Sequence, residues 1–224
     1  MAAIRSCGVR EVVALDFTRE LAALSPEAFA AQYLGAKGTG PRPTIRCGAN
    51  WTFGKGGVGN ADWLRARGFS VTTVPYATFA DAPISSSRIR AALSAGEIGA
   101  ANAMLGHPFR IFGEIERGKG LGRAFGFPTV NLRPVGLSIG LPRGVYVVSV
   151  AGVRGIANYG LAPSLGDRRW ATPMLEIHFP ECDAASVPAA PFAVDVLRFV
   201  RRERTFASLD ALRAQIACDC KSLA

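Results

Sequence analysis

This chain has only five cysteines and two histidines. These small numbers limit the disulfide bonds and metal sites that it could form. The five cysteines are an odd number and form no C-x-x-C pair, which disfavours both a disulfide framework and a structural zinc site. The two histidines, His107 and His178, lie far apart in the sequence. No apolar run approaches the roughly 18 residues of a membrane span, and the first residues lack the apolar core of a signal peptide. We therefore expect a cytoplasmic protein that has no membrane partner.

The charged residues make the chain basic, but they form no segment typical of nucleic-acid binding. Only four of the 26 basic residues are lysines, and the net charge is +9. The surplus is +4 over residues 1–107 and +5 over residues 108–224, so it is spread along the chain. No basic tail or basic helix with interleaved aromatic residues stands out, and a nucleic-acid partner is disfavoured. Small polyanions such as ATP fit this charge as well, and no obligate protein partner is indicated.

The stretch from Gly118 to Asn131 combines four glycines, two cations and the ending Pro-Thr-x-Asn. Backbone N–H groups of a glycine loop can turn towards an anion without a Cβ in the way, and Lys119 or Arg123 adds positive charge for a phosphate. Thr129 and Asn131 are two residues apart, so both side chains leave the same face of an extended strand. Their oxygen atoms suit Mg²⁺, which prefers oxygen ligands. The stretch therefore predicts a site for phosphate and metal.

The residues of this stretch allow two other interpretations. Gly113 followed by Gly118 and Lys119 matches the beginning of the phosphate-binding motif G-x-x-x-x-G-K-[ST]. The match fails at Gly120, where that motif has Ser or Thr, and the following residues do not begin a helix. The second interpretation stays open: the glycines and Pro128 could do no more than shape a surface loop between two strands.

The pattern Gly122-Arg123-x-x-Gly126-Phe127-Pro128-Thr129-x-Asn131 resembles the signature of the riboflavin kinase domain. In bacteria this domain is the C-terminal half of the bifunctional riboflavin kinase/FMN adenylyltransferase (FAD synthetase) family, which the chain resembles from about residue 11 onwards. The resemblance implies a kinase that uses ATP and Mg²⁺ to convert riboflavin to FMN. The residues implied for ATP and phosphate binding are Gly118, Lys119, Gly120, Gly122, Arg123, Gly126, Pro128, Thr129 and Asn131, of which Thr129 and Asn131 also bind the metal.

The first half of the chain alternates helices and strands, the pattern of an α/β domain with a parallel sheet. We predict strands at residues 11–17, 43–48 and 70–75, and helices at 26–34, 62–67, 85–96 and 97–105. The run Ser85-Ser86-Ser87-Arg88-Ile89-Arg90 resembles the motif that the family's adenylyltransferase half uses on ATP phosphates. Hydroxyl and N–H groups at a helix N-terminus suit that use. The resemblance implies this role for Ser85, Ser86, Ser87, Arg88 and Arg90.

The same half departs from the family at one motif. The family has an H-x-G-H motif on the turn after its first strand, where it holds nucleotide phosphates, and neither histidine of this chain has such a context. We therefore interpret residues 1–107 as a partial, Rossmann-like nucleotidyltransferase domain and expect FMN adenylyltransferase activity to be absent. The domain boundary is predicted at His107-Pro108, because a helix pattern ends there and a strand pattern begins.

Residues 108–224 predict a second domain that is mostly β. We expect strands at 109–116, 129–132, 144–150, 153–158, 174–179 and 192–200, and a closing helix from Leu209 to about Cys218 behind an N-cap Ser208. This spacing is typical of a small barrel or sandwich. The resemblance narrows the choice to the six-stranded antiparallel β-barrel of riboflavin kinases with a C-terminal helix, so the whole chain is predicted to be α+β.

Glu176 is the candidate base for the reaction. It lies between apolar residues in Met174-Leu175-Glu176-Ile177-His178, so on a strand it points either to solvent or into a polar pocket. A solvated carboxylate is the interpretation that the residues alone favour. The segment is similar to the strand that carries the family's catalytic glutamate, and this similarity implies that Glu176 is the base. His178 is then a hydrogen-bonding neighbour.

The run from Arg201 to Phe206 is similar to the family's Arg-x-Glu-x-x-Phe segment. The resemblance implies flavin contacts from Arg201, Glu203 and Phe206, while a solvated cluster of charges is the alternative. The sequence thus favours a riboflavin kinase whose partners are the small molecules riboflavin and ATP. Two alternatives stay open: a bifunctional enzyme that also converts FMN to FAD, and a non-catalytic basic barrel that binds RNA or a protein.

Overall fold

The computed structural model describes residues 2–35, 43–116, 129–136, 140–161, 173–180 and 192–223. The chain forms two compact units, Met1–Ala77 and Thr78–Ala224. The domain boundary at residues 107 and 108 stays a prediction from the sequence. None of the helices in the described ranges combines the length and the apolar character that a membrane crossing requires.

The first unit contains short helices and a small parallel sheet. Its elements are the helices α1 (Ala2–Arg5), α2 (Arg19–Ala23), α3 (Pro26–Tyr33) and α4 (Ala61–Arg65), a 3-10 turn (Lys55–Gly57), and the strands β1 (Ile45–Gly48) and β2 (Val71–Val74). The two strands pair in parallel, as the alternation of helices and strands predicts. Helix α3 begins where the sequence predicts, because the Ser25 hydroxyl accepts a hydrogen bond from the Ala28 N–H at 3.1 Å.

The strand predicted at residues 11–17 is wrong. This segment has no regular secondary structure, and Val13 and Phe17 are 70% and 86% exposed. A strand needs a neighbouring strand for its backbone N–H and C=O groups. None of the strands in the described ranges pairs with residues 11–17, so a short apolar run alone does not make a strand here.

Phe53 lies at the centre of an aromatic core in the first unit. Its ring centroid is 5.4 Å from that of Phe29, 4.8 Å from that of Trp51 and 5.5 Å from that of Trp63. The guanidinium carbon of Arg67 lies 3.6 Å from the Trp63 ring centroid. Aromatic pairs of this kind contribute about 0.5–1.5 kcal/mol each beyond the burial of their area. Ring contacts therefore stabilise a unit that has only two paired strands in its described part.

The second unit begins with a hairpin and two helices. The strands β3 (Thr78–Phe79) and β4 (Ala82–Pro83) form the hairpin, and α5 (Ser86–Ala95) and α6 (Ile98–Leu105) follow. The hairpin turn has positive φ angles of 49° at Ala80 and 58° at Asp81, as both central residues of a type I′ turn require. Helix α5 ends at Gly96, whose φ is 82°, a conformation that favours glycine. Both helices confirm the predictions.

Six strands close into an antiparallel barrel, as predicted. They are β5 (Phe109–Glu116), β6 (Thr129–Pro134), β7 (Gly144–Val150), β8 (Val153–Gly160), β9 (Met174–His178) and β10 (Phe192–Arg202), in the order β10-β5-β6-β9-β8-β7 around the barrel. Helix α7 (Leu209–Cys220) and a 3-10 turn (Lys221–Leu223) end the described part. Ser208 is the N-cap of α7, because its hydroxyl accepts from the Ala211 N–H at 3.2 Å.

Alternation along the strands divides the barrel residues between an inner core and an outer face. The inner core contains buried Ile111, Leu132, Tyr146, Val148, Ala157, Leu175, Ile177, Val194 and Val196, together with Leu93, Ile98 and Ala101 of α5 and α6. On the outer face, Val145, Val147 and Ile156 pack against Cys220 and Leu223 at the end of the chain. The barrel therefore has one apolar cluster inside and a second one beneath α7.

Candidate active site

Two rows of residues cross the outer face of the barrel on strands β7, β8, β9 and β6. The first row consists of the cross-strand partners Val145, Asn158, Glu176 and Asn131. The second row consists of Val147, Ile156, His178 and Thr129. Each row begins with apolar residues packed under α7 and ends with polar residues on β9 and β6. The register thus brings Glu176 into one patch with Thr129 and Asn131, although Glu176 is distant from the other two in the sequence.

Glu176 and Asn131 point away from the barrel core. Their neighbours Leu175, Ile177 and Leu132 are at most 1% exposed and belong to that core, and successive side chains of a strand point to opposite faces. Glu176 and Asn131 are nevertheless half-buried. Of the two possibilities in the sequence, the structure therefore places Glu176 in a partly enclosed polar patch and not in open solvent.

Thr129 and Asn131 lie on the same face of β6, as their spacing predicts. Thr129 is opposite His178, and Asn131 is opposite Glu176. Directly opposite residues have Cβ atoms about 4.5–5.5 Å apart, so a hydroxyl, an amide and a carboxylate come together. This oxygen donor set fits a hard cation such as Mg²⁺. Among the described residues, no group of three His, Cys, Asp or Glu side chains could hold a metal.

The surroundings of Glu176 change its acid–base behaviour. Burial disfavours the charged carboxylate and raises the pKa of Glu176 above its ordinary value. Its two cross-strand partners are the neutral side chains of Asn131 and Asn158. A carboxylate with a raised pKa is a better proton acceptor than an exposed one, provided that it is ionised. This environment is compatible with the predicted role of Glu176 as the base, and that role stays a prediction.

Arg201 is held by α7 near the apolar end of the first row. It is the cross-strand partner of Val145. Its Nε and Nη2 donate to the two carboxylate oxygens of Asp219 at 3.0 and 2.7 Å. Gln215 also donates to this carboxylate, at 2.8 Å. The side chains of Arg201 and Asp219 are only 14% and 5% exposed, so this ion pair fastens α7 to β10.

The predicted flavin contacts fall around this ion pair. The guanidinium carbon of Arg201 lies 5.8 Å from the Phe206 ring centroid. Glu203 is exposed and lies against Gly160, the last residue of β8. The structure thus brings Arg201, Glu203 and Phe206 to the same side of the barrel as the first row, and their flavin contacts stay predictions.

The Ser85–Arg90 motif begins α5, and its two arginines have different surroundings. Nη1 of Arg88 donates to the carbonyl oxygens of Ala82 at 2.6 Å and Pro83 at 2.7 Å, and Nη2 donates to that of Phe79 at 3.0 Å. These bonds hold the hairpin of β3 and β4 in place. Ser85, Ser86, Ser87 and Arg90 are exposed. The predicted use of this motif on ATP phosphates stays a prediction, and Arg88 also has a structural task.

The predicted glycine loop lies outside the described residues. This applies to Gly118, Lys119, Gly120, Gly122, Arg123, Gly126 and Pro128, whose phosphate contacts therefore stay predictions. The described strands on either side of them are informative, since Glu116 at the end of β5 is the cross-strand partner of Asn131 on β6. The loop therefore joins two strand ends that lie next to the proposed metal ligands.

Two further residues take part in this region, although neither is among the predicted site residues. Asn158 lies next to Glu176 in the first row, and Asp219 binds Arg201. A polar residue between buried Ala157 and Tyr159 on β8 is a signal that could have identified Asn158. No comparable signal marks Asp219, because its partner is 18 residues away and the docking of α7 brings the two together.

Two family models match the chain. Residues 105–224 match riboflavin kinase, and residues 1–88 match FAD synthetase. The bifunctional riboflavin kinase/FMN adenylyltransferase of Escherichia coli strain K12 is 33% identical over 229 residues, which cover 96% of this chain and 70% of that protein. The protein of the same name from Bacillus subtilis strain 168 is 32% identical over 224 residues, which cover 96% and 69%.

A solved structure shares the fold over almost the whole chain. The crystal structure of a macrolide-efflux protein from Streptococcus pneumoniae aligns with a TM-score of 0.85 and 27% identity, covering 99% of this chain and 72% of that one. Its name refers to a different activity from that of the sequence relatives. The two family models and the relatives agree with one another, so the structural match counts here for the fold alone.

Proposed function

Because the chain belongs to the bifunctional riboflavin kinase/FMN adenylyltransferase family, we propose that its barrel transfers the γ-phosphate of ATP to the 5′-hydroxyl of riboflavin. The products are FMN and ADP. The riboflavin kinase match covers residues 105–224, which include all six barrel strands and α7. The dependence on ATP favours the cytoplasm as the compartment of this reaction.

The register of β6, β8 and β9 is the observation that supports the proposal most. It places Glu176 between Asn131 and Asn158 in one row, with Thr129 in the adjacent row. Phosphoryl transfer asks for little covalent chemistry from a protein: phosphates and metal must be held, and an acceptor hydroxyl must lose its proton. In this patch Thr129 and Asn131 are the candidates for holding the metal, and Glu176 is the candidate for accepting the proton.

Each residue of the patch has one role in the proposed mechanism. Thr129 and Asn131 would hold Mg²⁺, which would supply positive charge to the phosphate oxygens. Glu176 accepts the proton of the riboflavin hydroxyl as that oxygen forms its bond to the γ-phosphorus. The bond between this phosphorus and the β–γ bridging oxygen breaks, and ADP leaves. Glu176 then returns its proton to water, which completes the cycle.

The test is the conversion of riboflavin by the purified 224-residue polypeptide. With saturating Mg-ATP we expect FMN to form steadily, as measured by chromatography with fluorescence detection, and EDTA to stop its formation. A basic barrel that binds RNA or a protein has no reason to bind riboflavin. If a folded sample makes no FMN under these conditions, the proposal fails and the non-catalytic barrel that binds RNA or a protein is favoured instead.

For the second reaction of the family we propose that this polypeptide forms no FAD. Residues 1–88 match FAD synthetase, but the 224 residues contain no H-x-G-H motif. Adenylyl transfer develops charge on the α-phosphate and the pyrophosphate, and loss of one preorganised donor commonly costs about 10²–10³ in rate. Incubation with FMN and Mg-ATP tests this point. FAD formation at a rate comparable to the kinase step would show that the first unit is competent without that motif.

A further inference from the structure

We propose that Glu203 binds the internal hydroxyl groups of the polyol chain of the acceptor substrate, and that Gly160 leaves the space that its carboxylate occupies. The inference rests on the proposed kinase function and concerns the same site. It assigns a substrate group to Glu203 and a positioning role to Gly160. It also predicts which acceptor molecules the enzyme discriminates against.

The contact between Glu203 and Gly160 is unusually close. A Cβ built on Gly160 would lie 2.7 Å from Cδ of Glu203 and 3.3 Å from Oε2, and it would overlap Oε1. Gly160 is not among the described residues with positive φ, so its backbone conformation does not demand glycine. A side chain at position 160 would therefore displace the Glu203 carboxylate, which is the exposed end of a flexible side chain.

The position of Gly160 places Glu203 beside the first row. Gly160 is two residues after Asn158 on β8, so both lie on the same face. Its cross-strand partner is Met174, two residues before Glu176 on β9. Gly160 and Glu176 are thus diagonal neighbours, which lie about 7–8 Å apart in an antiparallel pair. Two carboxylates, Glu176 and Glu203, consequently flank Asn158 on one face of the barrel.

The order of the polar side chains on this face indicates the direction in which the acceptor molecule extends from Glu176. The metal ligands Thr129 and Asn131 lie on β6, on one side of Glu176, so the triphosphate belongs there. Asn158 and Glu203 lie on the opposite side. An acceptor whose terminal hydroxyl meets Glu176 must therefore extend across β8 towards Glu203. In riboflavin the atoms next to that hydroxyl form the ribityl chain, which carries further hydroxyl groups.

A carboxylate suits these hydroxyls because it only accepts hydrogen bonds, and bonds to an ionised acceptor are roughly twice as strong as neutral ones. Sites that hydrogen-bond a substrate hydroxyl reject analogues that lack it. Glu203 is exposed, so water competes for its oxygens and the gain is limited. We therefore expect an effect of about tenfold, the lower part of the range for hydrogen bonds to charged groups.

The experiment compares two acceptors in the full 224-residue protein. One is riboflavin, and the other is the flavin with a 10-(5-hydroxypentyl) chain, which keeps the ring and the terminal hydroxyl but has no internal hydroxyls. Glu203→Ala is expected to lower kcat/KM about tenfold for riboflavin and to leave the value for the hydroxypentyl analogue unchanged. Gly160→Ala is expected to reproduce this pattern. Glu97→Ala, at an exposed acid, and Gly99→Ala, with open space around its Cβ, are the matched controls.

Equal losses for both acceptors would overturn the inference, since they would mean that Glu203 only anchors the segment between β10 and α7. No loss for either acceptor would overturn it as well. The dissociation constants of both flavins, measured by quenching of flavin fluorescence, give the same comparison without turnover. If the wild-type protein makes no FMN, the proposed function fails, but the ratio of the two dissociation constants in wild type and Glu203→Ala still decides the inference.

Discussion

The outer face of the barrel has an apolar side and a polar side, and β8 contributes to both. On the apolar side Val145 and Val147 are each 4% exposed and, with Ile156, pack against Cys220 and Leu223. On the polar side Asn131, Glu176 and Asn158 of the first row belong to neither apolar cluster of the described barrel residues. Both sides have the same backbone and the same alternation of side chains. They differ in the polarity of their side chains and in what covers them.

The apolar side should therefore contribute mainly to the stability of the unit, and the polar side mainly to the reaction. Full burial of a valine or isoleucine side chain contributes about 1.5–3 kcal/mol, so the side under α7 stabilises the unit. Hydrogen bonds from Arg154 to the Leu223 carbonyl at 2.8 Å and from Arg198 to that of Ser222 hold the same end of the chain. In the part of the polar side that the structure describes, Asn131, Glu176 and Asn158 take part in no such apolar cluster. Substitutions on the two sides should therefore affect different measured quantities.

Glu176→Gln should have the largest effect. It keeps the shape of the side chain and removes its ability to accept a proton, so kcat for FMN formation should fall by about 10²–10⁴, the usual range for general-base catalysis. KM for either substrate should change much less. Steady-state kinetics at saturating Mg-ATP measure both. Turnover near the wild-type value would mean that Glu176 is only a half-buried carboxylate on a strand.

Asp219→Ala should have the second largest effect, but on stability. It leaves Arg201 buried without its partner, and loss of one member of a buried pair costs roughly 3–5 kcal/mol; we expect about 3 kcal/mol. Urea denaturation followed by fluorescence measures this loss. Asp210→Ala is the matched control on the same helix, because Asp210 is 91% exposed in its ion pair with Arg213, and it should cost less than 1 kcal/mol. Similar losses for both variants would contradict the account.

Asn131→Ala should act on the nucleotide side of the reaction. It removes an oxygen ligand of the proposed metal site, so kcat/KM for Mg-ATP should fall about 10- to 100-fold, by analogy with the loss of residues that support metal ligands. Riboflavin affinity should change little. Asn158→Ala makes the same substitution on the other side of Glu176 in the first row. It should weaken riboflavin binding and change kcat/KM for Mg-ATP little. If Asn131→Ala weakens riboflavin binding first, the two ends of the row have been assigned to the wrong substrates.

The smallest expected effect is a pH-dependent gain in stability for Glu176→Gln. Burial raises the pKa of Glu176 above 4.5 in the folded protein, so its favourable neutral form is fully present below about pH 4.5. That contribution is lost as the pH rises through the folded pKa. Gln cannot ionise, and the variant should be more stable than wild type at pH 8 and similar at pH 4. Melts in EDTA at both pH values test this, and an equal gain at both would rule out ionisation as its cause.

Local patterns in the sequence predict most of the barrel strands. The bounds of β5 and β7 are those expected from alternating apolar residues between Gly and Pro turns, since each strand finds a neighbour in the closed barrel. The same reasoning fails for residues 11–17, which have an apolar pattern and no partner strand. A periodic pattern shows that a segment can form a strand, whereas pairing decides whether it does.

The candidate site is only partly predictable for the same reason. The spacing of Thr129 and Asn131 places both on one face, and the structure confirms it. That Glu176 lies between Asn131 and Asn158 depends on the register of three strands, which distant turns determine. The binding of Arg201 by Asp219 and of Arg88 by the β3–β4 hairpin depends on tertiary packing. Local sequence patterns do not contain this information.

The most direct test of the division between the two sides measures turnover and stability together for Glu176→Gln and Asp219→Ala. We expect Glu176→Gln to lose at least about 10² in kcat without loss of unfolding free energy. We expect Asp219→Ala to lose about 3 kcal/mol of unfolding free energy and to raise KM for riboflavin through Arg201, while kcat per folded molecule at saturating riboflavin stays within a few-fold of wild type. If both variants lose kcat and stability in parallel, the polar side and the apolar side of the barrel do not have separate roles.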